Sequence, residues 1–540
     1  MKLKLLFVSL MTFAGFMAAA QSLDRPKLVV GIVVDQMRHD YLYRYWDQYG
    51  EGGFKRILNE GFSCENAHYN YVPTVTGPGH ASIYTGTTPA FHGLIGNEWH
   101  LRNSRRGMYC AQDDSVSAVG GSEAAGKMSP KNLLANTITD VLKLYTYNRA
   151  KVIGVSVKDR GAIMPAGHLA DAAYWYDGNT GKFMTSTYYM NALPAWVNAF
   201  NDRNLGKQLF SQGWNTLKPI GTYVDSERDD NPYEGKLNGE ANAVFPRNIP
   251  FKDPTSYYTL LYTPAGNSLV TEFSKAALEA EQLGQDEVTD FLAMSYSSTD
   301  YAGHLFGLHS VEIEDMYLRL DLEMEKLLRF LDEKVGHDKY VVFLSADHAV
   351  AQNPQYLKHK NLPVDYFRGW RMIDSLKKFL EKKYDPFLID GYSNGQIYLN
   401  EDRIVSRKLD RKAIAADLKK YVRAWDGVID VVDRDDIPFL TGGNPVFPMI
   451  QKGFYPPLCG DFYVIIRPGW FESSSMTGTT HGSPFTYDTH VPVLWYGWKI
   501  PAGKSYAKYE ITDIASTLSF LLKIPLPDAA TGRVITELFD

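Results

Sequence analysis

Five side chains able to bind a metal stand just beyond three short apolar runs. Asp35 follows "KLVVGIVV" (27–34), Asp300 and His304 come after "DFLAMSYS" (290–297), and Asp347 and His348 follow "KYVVFLSA" (339–346). Each run has the length and β-branched content of a buried parallel strand. Ligands of open α/β sheets bind beyond the carboxyl ends of the strands, so three strands would deliver Asp or His to one edge. Taken singly, such an Asp is an ordinary turn former or helix cap. Together, the carboxylates would repel one another unless a cation neutralised them. Mixed carboxylate and imidazole ligands suit zinc, and two such ions form a clamp for phosphoryl transfer.

A further ligand is expected from the loop "MTGTTHGSPFTYDTH", where His481 and His490 are both candidates and spacing does not choose. His490 directly precedes "VPVLWYG" (491–497) and has the alternative of facing that strand's packing. Phosphate also needs cations: "GVSVKDRGA" ends a strand with Lys158 and Arg160, which share a face if the chain is extended. The segment "VPTVTGPGHASIYTG" (72–86) predicts a short helix with Pro78 in its first turn and Thr76 or Gly77 at its cap. Unpaired N–H groups and the helix dipole there favour an anion. Thr76 is therefore either a cap or an alkoxide nucleophile.

Strands at "AKVIGVSV" (150–157) and "VPVLWYG", with the three above, alternate with helices. The clearest helix is 311–334, where Tyr317, Leu320, Met324, Leu327, Leu328 and Leu331 recur at three- and four-residue steps. The pattern predicts an α/β fold with a central, mostly parallel sheet flanked by helices. Residues 161–286, rich in Asn, Gly, Tyr and Trp, read as an inserted cap. Residues 355–450 read as a small α+β lobe built on "NGQIYLN", "DRKAIAADLKKYVRAW" and "VIDVV".

Residues 1–20, "MKLKLLFVSLMTFAGFMAAA", have the charged start, apolar centre and small-residue end of a signal peptide, with cleavage near Ala20/Gln21. The mature chain, 21–540, is expected in the periplasm or outside the cell, without a membrane anchor, as a monomer. A formal charge of −6 with no basic cluster argues against a nucleic-acid partner. Cys64, Cys110 and Cys459 allow at most one internal disulfide, and the sequence does not say which pair.

The stretches "VVDQMR", "PTVTGPGHASIYTGTTPAFHGLIGNEW", "GVSVKDRGAI", "SSTDYAGH", "SADHAV" and "THGSPFTYDTHVPVLWYG" resemble, in order, those of the alkaline phosphatase superfamily. The resemblance is to its phosphate-irrepressible, PafA-type members and spans nearly the whole mature chain. It implies an alkaline-phosphatase-like sandwich and a two-zinc enzyme that hydrolyses phosphate monoesters through a phosphothreonine. By this resemblance Asp300, His304 and His481 hold one zinc, while Asp35, Asp347, His348 and the Thr76 oxygen hold the other. Asn97, Lys158 and Arg160 would grip the non-bridging phosphoryl oxygens. Ala349 departs from the glycine that relatives often carry after Asp-His, and touches none of the ligands. Two rivals share parts of this pattern. A phosphodiesterase or nucleotide pyrophosphatase would use the same two-zinc site, and a non-catalytic exported metal-binding module would use only its ligands. A sulfatase would need a Cys/Ser-x-Pro-x-Arg signature, which "VTGPGH" is not.

Overall fold

A computed structural model describes residues 24–539; the expected signal peptide lies outside the described residues. Five strands run parallel at the centre, in the spatial order Tyr340–Ser345, Leu28–Val34, Asp290–Tyr296, Val152–Ser156 and Ala172–Asp177. Leu28–Val34 and Tyr340–Ser345 are buried at every residue, as expected of strands covered on both faces. The α/β architecture predicted from the sequence is the one observed.

The sheet's flanks are mixed. Val493–Gly497, read above as one of the parallel strands, runs antiparallel to Tyr340–Ser345. Its apolar composition matches that of the parallel strands, so composition carries no direction. On the other side, Lys182–Ser186 pairs antiparallel with Ala172–Asp177. Part of the segment expected as a cap therefore extends the main sheet. The reason is legible afterwards: "AAYWYD" is buried throughout, its aromatic residues facing core rather than solvent.

The helix Val311–Lys334 buries Tyr317, Leu320, Met324, Leu327, Leu328 and Leu331 in the same hydrophobic core as the central strands. Ser310 caps it, its hydroxyl accepting the Ile313 N–H at 3.2 Å. A second, four-stranded antiparallel sheet takes the order Ile389–Ser393, Gln396–Leu399, Phe462–Ile466, Val428–Asp433. Its third strand lies beyond residue 450. The helices Gly369–Lys383 and Arg411–Arg423 bury Met372, Leu376, Ile414 and Leu418 against it, giving this lobe a core of its own. All three cysteines are buried free thiols. Among the described residues, no helix is long and apolar enough to cross a membrane.

Candidate active site

Four neighbouring parallel strands end at one edge, and each is followed by charged side chains. Asp35 follows Val34, Asp347 and His348 follow the strand ending at Ser345, and Lys158 and Arg160 follow the one ending at Ser156. Beyond Tyr296, the helix Ser298–Phe306 carries Asp300 and, one turn on, His304. Asp35, Asp300, Asp347, His348 and Lys158 are all buried.

Two sets of side chains converge closely enough to hold a metal ion: Asp300, His304 and His481, and Asp35, Asp300 and His348. His304 Nε2 and His481 Nε2 lie 3.2 and 3.5 Å from Asp300 Oδ1. His348 Nε2 lies 3.5 Å from Asp35 Oδ1 and 3.6 Å from Asp347 Oδ2. Those last three atoms are buried without a hydrogen-bond partner. Orphaned polar atoms of this kind are costly in a folded protein and point to an ion. The hydrogen bonds behind the histidine rings agree. Nδ1 of His304, His348 and His481 lies against the carbonyl oxygens of Thr479, Ala349 and Thr74 at 2.9, 3.0 and 2.8 Å. Nδ1–H donation to those carbonyls leaves each Nε2 as a bare lone pair, the arrangement of metal-bound histidine.

Charge is distributed unevenly. Burial and the nearby Asp347 push the Asp35 carboxyl well above the usual range. Burial acts the same way on Asp300, but His304 and Lys158 outweigh it and hold that carboxyl well below the usual range. Burial favours the neutral rings of His348 and His481, the form that binds metal. Lys158 Nζ bridges the two sets, donating to Asp35 Oδ2 at 2.9 Å and to Asp300 Oδ2 at 2.5 Å.

Thr76 is the first residue of the helix Thr76–Thr85, and Val75, not Thr76 or Gly77, takes the cap position. The Thr76 hydroxyl faces Arg160 Nη2 at 3.5 Å. The first turn offers fewer free donors than the sequence suggested. The Gly77 N–H donates to Asn97 Oδ1 at 2.7 Å, and Pro78 has none. Lys158 is extended at the cap position of the helix Asp159–Ala166 and Arg160 lies within that helix, so they do not share a strand face as the spacing suggested; both line one pocket with Tyr109 and Tyr301.

Of the two histidine candidates, His481 joins the cluster. His490 stacks between His39 and His68, at 4.4 and 4.7 Å, with Nε2 3.0 Å from the Glu65 carbonyl oxygen. Two further residues escaped the sequence reading. His80 Nδ1 lies 2.9 Å from the Thr76 carbonyl oxygen and 3.3 Å from Asp347 Oδ2, which puts its ring between the start of the helix and the candidate metal ligands. Gln36 donates its backbone N–H to Asp347 Oδ1 at 3.1 Å and its side-chain amide to Asp300 Oδ1 at 2.5 Å. Their positions in "TGPGH" and directly after Asp35 were the available signals.

Residues 29–490 match the family model described as type I phosphodiesterase / nucleotide pyrophosphatase. The chain is 46% identical to a Myroides odoratus protein named calcium-transporting ATPase, over 97% of each chain. It is 43% identical to alkaline phosphatase PhoV of Synechococcus elongatus over 100% of both chains. Alkaline phosphatase PafA of Elizabethkingia meningoseptica is 41% identical over 98% of both. A crystal structure of PafA superposes with a TM-score of 0.92 at 42% identity, covering 96% of this chain and 99% of that one. The chain belongs to the type I phosphodiesterase / nucleotide pyrophosphatase family, within the alkaline phosphatase superfamily. It is an enzyme of the alkaline phosphatase type.

Proposed function

We propose that this alkaline phosphatase is exported, binds two zinc ions, and hydrolyses phosphate monoesters through a phosphothreonine at Thr76. The observation that carries it is the state of the Thr76 hydroxyl. It lies 3.5 Å from the Arg160 guanidinium, and the His80 ring stands between the Thr76 carbonyl oxygen and Asp347. Asp300, His304 and His481 would hold one zinc, and Asp35, Asp347 and His348 the other. When bound, zinc supplies Lewis acidity that favours ionised oxygens on nucleophile and leaving group.

The protein groups do the rest. Thr76 Oγ1 gives up its proton to solvent and attacks phosphorus; its new bond forms as the bond to the alcohol oxygen breaks, and that oxygen takes a proton from solvent as the alcohol departs. Arg160, Lys158 and Asn97 hold the non-bridging oxygens during this transfer. Arg160 does so as a flat fork, Lys158 as a point charge, and Asn97 through the amide end left free when Oδ1 accepts the Gly77 N–H. A water then attacks phosphorus, the Thr76 oxygen–phosphorus bond breaks, and inorganic phosphate leaves as Thr76 regains its proton.

Diester hydrolysis is the second reading, favoured by the description of the matched family. Two cations opposite the phosphoryl oxygens favour a dianionic monoester over a singly charged diester. Catalytic efficiency on a matched aryl phosphate monoester and diester, with metal-defined protein, separates the two. The monoester is expected to lead by orders of magnitude; parity or a diester preference would reverse the assignment.

A further inference from the structure

The guanidinium of Arg160 is held from behind. Arg160 Nη1 donates to the Tyr109 hydroxyl at 3.0 Å, while Nη2 points toward Thr76 Oγ1. The Tyr109 hydroxyl in turn donates to Asp159 Oδ1. The same carboxylate oxygen accepts the Arg160 backbone N–H at 2.5 Å. A phenol has one proton to give and lone pairs to receive with, so this relay uses it as donor and acceptor at once. The guanidinium carbon also lies 5.9 Å from the centre of the Tyr109 ring.

Tyr109 reaches this position on a hairpin that carries a second site residue. The strands Glu98–Leu101 and Arg106–Tyr109 pair antiparallel, with Glu98 opposite Tyr109. The base is closed by the Cys110 N–H donating to the Asn97 carbonyl at 2.9 Å. Asn97 and Tyr109 are thus the two feet of one hairpin. The small lobe braces it: Arg102 donates to Asp461 Oδ2 and to the Cys459 carbonyl, both at 2.8 Å.

We propose that Tyr109 is a positioning residue for phosphoryl recognition. Its hydroxyl fixes the Arg160 fork in the orientation that meets the phosphoryl oxygens, while its hairpin sets Asn97 on the same group. The inference rests on the reading that Arg160 grips phosphate. A long arginine side chain has many rotamers, and ordering it beforehand removes that cost from substrate binding.

Tyr109→Phe tests this directly, because it keeps the ring and its packing and deletes only the hydroxyl. The measurements are the inhibition constant of inorganic phosphate and monoester kcat/KM, in the natural chain and in an Arg160→Ala background. Thermal midpoint and bound metal serve as controls. In the natural chain, Tyr109→Phe is expected to weaken both by roughly tenfold, the order of one charge-assisted hydrogen bond. In the Arg160→Ala background it should change neither by more than about twofold, since coupled residues are not additive. An equal loss in both backgrounds would overturn the positioning role and leave the Arg160 reading intact. If Arg160→Ala alone leaves phosphate inhibition unchanged, the grip itself fails and the inference falls with it.

Discussion

The imidazole of His481 stacks on that of His348, with 3.4 Å between ring centroids and 14° between planes. The two rings belong to different candidate metal sets, so each helps to hold the other in place. His490, in the same sequence neighbourhood, stacks elsewhere. His481→Ala is therefore expected to lose one metal equivalent and weaken the second, whereas His490→Ala keeps both and costs some stability. Metal content of the purified variants checks this, and metal loss confined to His490→Ala would invert the assignment.

Removal of metal should be reversible. The partnerless Asp35 Oδ1, Asp347 Oδ2 and His348 Nε2 predict that chelation abolishes activity and that zinc restores it. Elemental analysis of active protein should show stoichiometric metal. Full activity in metal-free protein would contradict the metal assignment.

Gly79 has a packing reason. A Cβ built there would lie 2.2 Å from the Asp347 carbonyl oxygen, so the helix and the Asp347 segment approach too closely for any side chain. Gly79→Ala is expected to cost about 1–3 kcal/mol, the usual range for overpacking. It should also lower metal occupancy by displacing Asp347. Chemical denaturation and metal analysis measure the two effects, and an unchanged protein by both would refute the close-approach explanation.

His92 supplies a pH dependence remote from the metal ligands. It is buried; its Nδ1 accepts the Leu94 N–H at 3.2 Å, leaving the Nε2–H for Ser82 Oγ at 3.0 Å. Burial pushes its pKa down to about 3. The unfolded chain titrates near 6.5, so between those values the unfolded state binds more protons than the folded one. This contribution is complete above the unfolded pKa and is lost as pH falls toward the folded value. At most it changes by about 1.4 kcal/mol per pH unit. Stability of the natural chain should therefore fall more steeply than that of His92→Gln as pH drops from about 6 to about 4. Parallel curves would show that His92 contributes nothing to acid sensitivity.

Lys158 and Arg160 should discriminate between substrates. Replacing both by alanine is expected to cut monoester kcat/KM by several orders of magnitude and diester kcat/KM far less, because a diester has fewer free oxygens to hold. An equal loss on both substrates would make these residues structural.

The candidate edge was legible because two apolar runs stop directly at Asp35 and Asp347, and a third is followed by Asp300 within three residues. Tyr109 gave no such signal. It ends a four-residue strand of mixed polarity, and its partner Arg160 lies 51 residues away, so only the folded hairpin brings them together. Spacing did not choose between His481 and His490; the resemblance named His481, whose Nε2 the fold brings within 3.5 Å of Asp300 Oδ1. Strand direction at Val493–Gly497 was hidden for a different reason: parallel and antiparallel core strands bury the same side chains.

The central claim is that Thr76 carries the phosphoryl group. Protein mixed with an aryl phosphate and quenched in acid during turnover should contain a covalent phosphate, and peptide mapping should locate it at Thr76. Thr76→Ala should lack that modification and lose activity by about a thousandfold or more, while Thr76→Ser, which keeps a hydroxyl, retains much of it. Near-normal turnover by Thr76→Ala, with no phosphothreonine trapped in the natural chain, would contradict the account.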